Sequence, residues 1–185
     1  MFKNIYTDVD GVILNWSDPY RKWLSECHGI NLPEVLDEYS KAMVEDLKFG
    51  NMVKRFNQTM FSHNLPEFGN SKAVLQGLKY MYNLNIICVT AYCGDQVRRW
   101  DNLVDVFGEG LFTDVVFTDD KEKYLKTQPK DDSIFVEDKF SNYLIGEKLG
   151  MTAFLMKQPW NEQHMGKAYI VDNWDNIQDY INDKM

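Results

Sequence analysis

Apolar residues near the start of the chain form a short run and then take helical spacing. Residues 3–7 have the pattern of a β-strand, and the apolar stretch 12–14 continues beyond an acidic turn. A helix is predicted over 17–28, because a hydroxyl, an acid and a proline open it and Gly29 follows it. Residues 33–64 again show mainly helical spacing.

From residue 70 onward, helical and strand patterns alternate, which is typical of a parallel α/β sheet. The predicted strands are 85–89, 114–118, 133–136, 152–156 and 168–171, and the predicted helices are 71–82, 94–107, 140–149 and 174–181. We therefore predict an α/β fold, a Rossmann-like parallel sheet flanked by helices, with a small helical cap inserted after the first strand. The predicted core domain covers 1–14 and 66–185, and the cap covers 15–65. Ligands of open α/β sheets bind at the carboxyl ends of the strands, where this cap would lie.

Charge and composition narrow the class of partner. The chain has 185 residues and a formal net charge of -8, and it contains no long cluster of Lys and Arg, so a long nucleic acid is not expected as a partner. A small phosphorylated molecule remains compatible. No apolar run approaches the ~18 residues of a membrane span, so no membrane association is expected. Three scattered cysteines favour a cytoplasmic location, and a homodimer is left open.

The most informative chemical pattern follows the first predicted strand. Asp8 and Asp10 stand two residues apart, and Gly11 would permit a turn that aims both carboxylates into one cavity. One carboxylate can attack phosphorus, and the other can protonate the leaving oxygen and later activate water. An acidic turn that merely caps the next segment is the alternative for this pair.

Three further polar clusters follow later strands. Thr90 and Ala91 can bind phosphate oxygens through a hydroxyl and exposed amides. Lys121 can neutralise a phosphoryl group, although Lys123, Lys126 and Lys130 compete for that role. Glu137 and Asp138 are adjacent carboxylates that need a cation nearby, and their oxygen ligands suit Mg²⁺. Ordinary capping explains each cluster alone, but together they would occupy one sheet edge.

These segments resemble, in the same order, the four motifs of the haloacid dehalogenase-like hydrolase superfamily, over nearly the whole chain. Within it, the chain is most similar to 5'(3')-deoxyribonucleotidases, on the short helical cap, the total length, the stretch 99–121 and the segments 158–161 and 171–174.

The resemblance implies a role for each residue. Asp8 would be the nucleophile and a magnesium ligand, and Asp10 the general acid and base, which lends its backbone carbonyl to the metal. Thr90 and Ala91 would bind the phosphoryl group, and Lys121 would hold its charge. Asp138 would coordinate Mg²⁺, with Glu137 assisting from a first or second ligand sphere. Asn142 falls where some relatives carry a further acid.

The expected function is Mg²⁺-dependent hydrolysis of a small phosphate monoester through a phospho-aspartyl intermediate. The favoured substrate is a (deoxy)nucleoside monophosphate, whose base would stack on aromatic residues of the cap such as Trp16, Tyr20, Phe49, Phe56 and Phe61. Two departures from the nucleotidases are the sequence Thr-Ala-Tyr-Cys-Gly at 90–94 and a longer connection from Lys121 to Glu137. A 3'-phosphatase for nucleic-acid ends and a catalytically silent binding protein are the alternatives.

Overall fold

The computed structural model describes residues 1–31 and 52–185, and the structural statements below concern these residues. The predicted helical stretch over 33–51, including Phe49, lies outside them. The strands are β1 Asn4–Thr7, β2 Asn85–Thr90, β3 Asp114–Phe117, β4 Ser133–Glu137, β5 Thr152–Met156 and β6 Ile170–Val171. The helices are α1 Ser17–His28, α2 Met52–Phe56, α3 Met60–His63, α4 Ser71–Tyr82, α5 Gln96–Phe107, α6 Lys121–Lys126, α7 Phe140–Leu149 and α8 Trp174–Asn182.

The six strands form one sheet in the order β3-β2-β1-β4-β5-β6, and all neighbouring pairs are parallel. The predicted α/β class and parallel sheet are therefore confirmed. Chain order runs outward from β1 in one direction through β2 and β3, then crosses to β4 and continues in the other direction. A crevice forms at the carboxyl ends of strands where the order reverses in this way, and ligands of such sheets bind there.

Both faces of the central strands are buried, which explains their nearly continuous apolar sequences. Every residue of β1 and β4 is buried, and β2 is buried except for Asn85 at its start. The main apolar cluster joins β1 to the helices on one face, and Ile5, Leu78 and Ile177 are completely buried within it. The sheet thus holds the ends of β1, β2 and β4 in fixed relative positions.

The C-termini of the helices match the sequence-based predictions more closely than the N-termini do. Left-handed residues Gly29 and Gly150 end α1 and α7 as expected. Ser17 does not cap α1; instead the side chain of Asn15 accepts a hydrogen bond from the amide of Asp18 at 3.3 Å. Asn70 is the N-cap residue of α4, but its side chain accepts no hydrogen bond from that helix.

Ser71 and Asn70 make other contacts. The hydroxyl of Ser71 donates to the carbonyl of Ile13, and the amide of Asn70 donates to Asp175. Both contacts connect parts of the chain that are distant in sequence. The polar side chains at the start of α4 are therefore used in tertiary contacts and do not bond to the free amides of the helix.

Helix α6 is absent from the sequence predictions. It begins at Lys121, and Asp120 caps it by accepting a hydrogen bond from the amide of Lys123 at 2.9 Å. The helix occupies the first part of the connection between Lys121 and Glu137. Among the described residues, no helix is long and apolar enough to cross a membrane. The cap boundaries at 15 and 65 stay a prediction.

Candidate active site

Six of the seven predicted site residues, all except Glu137, lie around one cavity of about 250 Å³ at the carboxyl ends of the strands. We call it the acidic cavity, and its walls include Asp8, Asp10, Thr90, Ala91, Lys121 and Asp138. Because β1 lies between β2 and β4, segments that are far apart in sequence meet there. The sheet order, and not any local feature, brings them together.

The turn after β1 is built around Gly11, whose backbone has a φ of +81°. A Cβ atom at this position would lie 2.5 Å from Oδ2 of Asp138, so only glycine allows the Asp138 carboxylate to approach the turn. The amide of Val9 donates to Oδ1 of Asp8 at 2.8 Å and fixes that carboxylate. The side chains of Asp8 and Asp10 remain 13% and 21% exposed, respectively, toward the cavity.

Lys121 is the positive centre of this cluster. Its Nζ atom lies 2.9 Å from Oδ1 of Asp8 and also contacts Glu137, and its side chain is only 4% exposed. Burial alone would lower the pKa of Lys121, but the charges of Asp8 and Glu137 overcome this and raise it. Lys121 is therefore a permanent cation beside the Asp8 carboxylate.

The other lysines that competed for this role lie elsewhere. Lys123 is exposed, Lys126 pairs with Glu122 at 2.9 Å, and Lys130 donates to backbone carbonyls of its own segment. Of the four lysines that the sequence left open, Lys121 is the one that lines the acidic cavity.

Glu137 is fully buried, and both of its carboxylate oxygens already have partners. Oε1 accepts from Lys121 and from the amide of Asn142, and Oε2 accepts from the backbone amides of Asp138 and Lys139. This arrangement makes Glu137 an anchor for Lys121. The side-chain amide of Asn142 donates to Glu137 at 2.9 Å.

The carboxylates provide a donor set that fits a divalent cation. Oxygen atoms of Asp8, Glu137 and Asp138 lie within 4.8 Å of one another. Burial raises the pKa of Asp8 to about 7, against the opposing charge of Lys121. Burial, followed by the charges of Glu137 and Asp8, raises the pKa of Asp138 well above its usual value. The negative charge is thus incompletely balanced, and hard oxygen donors of this kind suit Mg²⁺.

The aromatic residues proposed to stack on a base are mostly unavailable. Tyr20 and Phe56 are completely buried and pack on each other with ring centroids 5.2 Å apart. Phe61 does not line the acidic cavity, whereas Trp16 does. Tyr92 and Trp160, which were not considered for stacking, line the cavity as well. The stacking prediction is therefore wrong for Tyr20 and Phe56, because they form the interior of the cap segment.

Arg99 on α5 is a residue of the site that the motif comparison missed. Its side chain is fully buried, and its Nη1 atom lies 3.1 Å from Oδ1 of Asp10. Burial raises the pKa of Asp10, and the charges of Arg99 and then Lys121 oppose this. The available signal was helical spacing, because Arg99 shares the buried face of α5 with Leu103 and Phe107.

Two buried side chains in the segment after β5 hold the backbone that follows β1 and β4. The side-chain amide of Gln158 donates to the carbonyl of Gly11 at 2.7 Å. The amide of Asn161 donates to the carbonyls of Asp138 and Met156, both at 2.8 Å. Gln158 and Asn161 are both buried, so they fix the backbone of two motifs without facing the cavity.

Comparison with solved structures identifies the architecture. A haloacid dehalogenase-like hydrolase from Streptococcus pneumoniae superposes with a TM-score of 0.70 at 14% identity, covering 97% of this chain and 98% of that one. A predicted phosphatase from Clostridium acetobutylicum gives 0.71 at 15% identity, covering 99% of both. A Bacillus subtilis HAD-hydrolase, solved bound to magnesium, gives 0.67 at 13% identity, covering 98% of this chain and 99% of that one.

No protein-family model matches the sequence, and no curated protein matches it. At these low identities, the superpositions establish a shared fold. The chain accordingly has the fold of the haloacid dehalogenase-like hydrolases over nearly its whole length. A fold of this kind supports several chemistries, so the reaction has to be argued from the residues of the cavity.

Proposed function

We propose that the chain is a phosphatase of the haloacid dehalogenase-like superfamily that hydrolyses a small phosphate monoester with the help of Mg²⁺. The observation that carries the proposal is the arrangement around Asp8. A nucleophilic carboxylate lies 2.9 Å from the Lys121 cation, and Asp10 and Asp138 share the same cavity. A binding protein without catalysis would not require both Asp8 and Asp10.

The reaction has two steps, formation and hydrolysis of a phospho-aspartyl intermediate on Asp8. In the first, a carboxylate oxygen of Asp8 attacks phosphorus, and the bond to the leaving oxygen breaks with its electron pair on that oxygen. Asp10 gives that oxygen a proton, and the alcohol departs. In the second, water gives a proton to Asp10 while its oxygen attacks phosphorus. The phosphorus–oxygen bond to Asp8 breaks, and the electron pair restores the Asp8 carboxylate.

Other residues bind and orient the phosphoryl group. Lys121 neutralises its charge together with that of Asp8, and Thr90 and the amide after it donate to its oxygens. Asp8 and Asp138 would hold Mg²⁺, with the backbone carbonyl of Asp10 as a further ligand and Glu137 supporting Lys121. When bound there, Mg²⁺ supplies positive charge to the phosphoryl oxygens and to the cluster of carboxylates.

The favoured substrate class is a (deoxy)nucleoside monophosphate. Support comes from the likeness to deoxyribonucleotidase motifs and from the rings of Tyr92 and Trp160 in the cavity wall. The cavity volume of about 250 Å³ is just below the ~300 Å³ at which ligand pockets typically begin, so a small ester fits better than a polymer.

The reaction is tested with purified protein, Mg²⁺ and p-nitrophenyl phosphate. Wild type is expected to turn over this ester, and Asp8→Asn to reduce the rate at least ~10³-fold, because removing a catalytic nucleophile costs at least this much in well-studied hydrolases. Lys123→Met, an exposed change on α6, is the matched control and keeps the wild-type rate. An undiminished rate for Asp8→Asn contradicts the mechanism.

The substrate class is tested separately with a panel of 5'- and 3'-nucleoside monophosphates, sugar phosphates and an end-phosphorylated oligonucleotide. The highest kcat/KM is expected for a nucleoside monophosphate. Trp160→Leu should then raise the KM for nucleotides more than for ribose 5-phosphate, whereas Phe61→Leu, outside the cavity, should change neither. A preference for the oligonucleotide or for sugar phosphates would overturn the nucleotide assignment and leave the mechanism intact.

A further inference from the structure

The buried guanidinium of Arg99 lies directly behind Asp10. Nη1 of Arg99 is 3.1 Å from Oδ1 of Asp10, and Nη2 is 3.4 Å from Oδ2, so the fork of the arginine faces both carboxylate oxygens. Arg99 has no exposed surface and is not part of the wall of the acidic cavity. It therefore acts on a substrate through its neighbours, and Asp10 is the neighbour that takes part in the reaction.

We propose that Arg99 is a positioning residue that fixes the orientation of the Asp10 carboxylate for proton transfer to and from the substrate oxygen. This inference rests on the proposed phosphatase reaction. A carboxylate has about four lone-pair sites, so the two contacts with Arg99 leave sites on both oxygens for a proton or a substrate atom. Nη2 donates a hydrogen bond to Oδ2, and Nη1 lies at ion-pair distance from Oδ1, so the guanidinium restrains the carboxylate at two points, which a single point charge cannot do.

Among the described residues, Asp10 is the one carboxylate within ion-pair distance of Arg99. A fully buried guanidinium is costly unless it is paired, so the fold favours keeping Asp10 in this contact. Asp10 stands in the turn after β1, and Arg99 in the helix after β2, the neighbouring strand. The orientation of Asp10 is thus determined by an element that local sequence does not connect to it.

Arg99 is itself fixed by Tyr92. The Cζ atom of Arg99 lies 4.3 Å from the centroid of the Tyr92 ring, a cation–π distance. The hydroxyl of Tyr92 donates to the backbone carbonyl of Asn57 at 2.9 Å. Asn57 directly follows α2 and also accepts a hydrogen bond from the indole of Trp16. A continuous set of contacts therefore runs from the predicted cap through Tyr92 and Arg99 to Asp10.

A misoriented general acid affects poor leaving groups most, because nitrophenolate departs with little help from a proton and phenolate requires it. The second step is common to both substrates, so we compare kcat/KM, which reports the first step, for p-nitrophenyl phosphate and phenyl phosphate in Arg99→Met, Arg99→Lys and Arg98→Met. General acid catalysis typically contributes ~10²–10⁴-fold, and Arg99→Met is expected to lower kcat/KM ~100-fold for phenyl phosphate and less than ~10-fold for p-nitrophenyl phosphate.

Arg98→Met serves as the control, and Arg99→Lys is the conservative variant. Arg98 is exposed, on the same helix, and its Nε atom lies 3.5 Å from Asp95, so Arg98→Met should leave both rates unchanged. Arg99→Lys keeps the buried charge without the fork and is expected to give an intermediate ratio of the two rates. This variant also decides the question if Arg99→Met does not fold.

A double-mutant cycle separates positioning from a general structural role. In an Asp10→Asn background, Arg99→Met should cause no further loss of rate, because the residue through which Arg99 acts is already disabled. Equal losses for both substrates, or a full loss that persists in Asp10→Asn, would overturn the proposal. An inactive wild type would instead refute the proposed phosphatase function, so the two failures are distinguishable.

Discussion

Replacing Gly11 by alanine tests whether close packing of the Asp8–Asp10 turn on Asp138 is required for catalysis. A Cβ atom at position 11 would lie 2.5 Å from Oδ2 and 3.2 Å from Cγ of Asp138. Ordinary contact begins at 3.4 Å, so the carboxylate oxygen must retreat by about 0.9 Å or the turn must open by a similar amount. Either change displaces a proposed magnesium ligand from the nucleophile.

Two effects of this substitution have different magnitudes. The positive φ of +81° costs a residue with a side chain roughly 1–2 kcal/mol of folding free energy. The displacement of Asp138 acts on chemistry, where a misplacement of ~1 Å can cost ~10²-fold in rate. We therefore expect Gly11→Ala to lose at least ~1 kcal/mol of stability and about two orders of magnitude in kcat/KM.

Gly166→Ala is the matched control. Gly166 has a φ of +82°, and an added Cβ would meet nothing within 4 Å. Its stability loss in urea unfolding should be ~1–2 kcal/mol, with unchanged kcat/KM and unchanged Mg²⁺ affinity by isothermal titration calorimetry. If Gly11→Ala retained the activity and Mg²⁺ affinity of Gly166→Ala, the reasoning that links this turn to the cation site would be refuted.

Three further substitutions test the surroundings of the site. Lys121→Met should lower the free energy of unfolding in urea by ~3–5 kcal/mol and abolish turnover, because it leaves the buried carboxylates of Asp8 and Glu137 without their cation. A loss of stability below ~1 kcal/mol would contradict the role of Lys121 as their ion-pair partner. Asn161→Ala removes two hydrogen bonds to the carbonyls of Asp138 and Met156, and urea unfolding should show a loss of at least ~2 kcal/mol. Asn161→Asp keeps the acceptor for the amide of Gln158 but turns a carboxylate oxygen toward the same two carbonyls, so it should lose at least as much; a smaller loss for Asn161→Asp would contradict these hydrogen bonds. Hydrogen bonds from Lys148 and Lys126 lower the pKa of Glu122 to about 2 from 4.5, so its stabilising effect is complete above pH 4.5 and is lost as the pH falls through 2. The melting temperature of Glu122→Gln should therefore lie below that of wild type at pH 7 and converge with it in acid; a constant difference would exclude this ionisation as the cause.

Sequence reasoning was most successful where local rules and tertiary packing demand the same residue. Strand β5 was predicted with its observed bounds, because a buried parallel strand needs an unbroken apolar run. Helix α7 was predicted from Phe140 to Leu149, since Gly150 supplies the left-handed backbone that ends it. These features depend on neighbours in sequence and are therefore readable from it.

Residues that act through distant partners were not readable in the same way. Arg98 and Arg99 are adjacent and chemically identical, yet one is exposed beside Asp95 and the other is buried against Asp10. Helical spacing could indicate that Arg99 faces the interior, but it could not name the partner. The same limit explains why the side chain of Asn15, and not that of Ser17, accepts a hydrogen bond from the first turn of α1, and why the rings of Tyr20 and Phe56 pack inside the protein.

The sequence by itself determined the α/β class, the alternation of strands and helices and the chemical type of each candidate at a strand end. It left the identity of the phosphoryl-binding lysine open, because four lysines lie within a short stretch and each has the same local chemistry. The tertiary structure decided that Lys121 meets Asp8, that Glu137 anchors it and that Arg99 faces Asp10. The physical reason is the order of the strands, because placing β1 between β2 and β4 sets distances between residues that local sequence cannot specify.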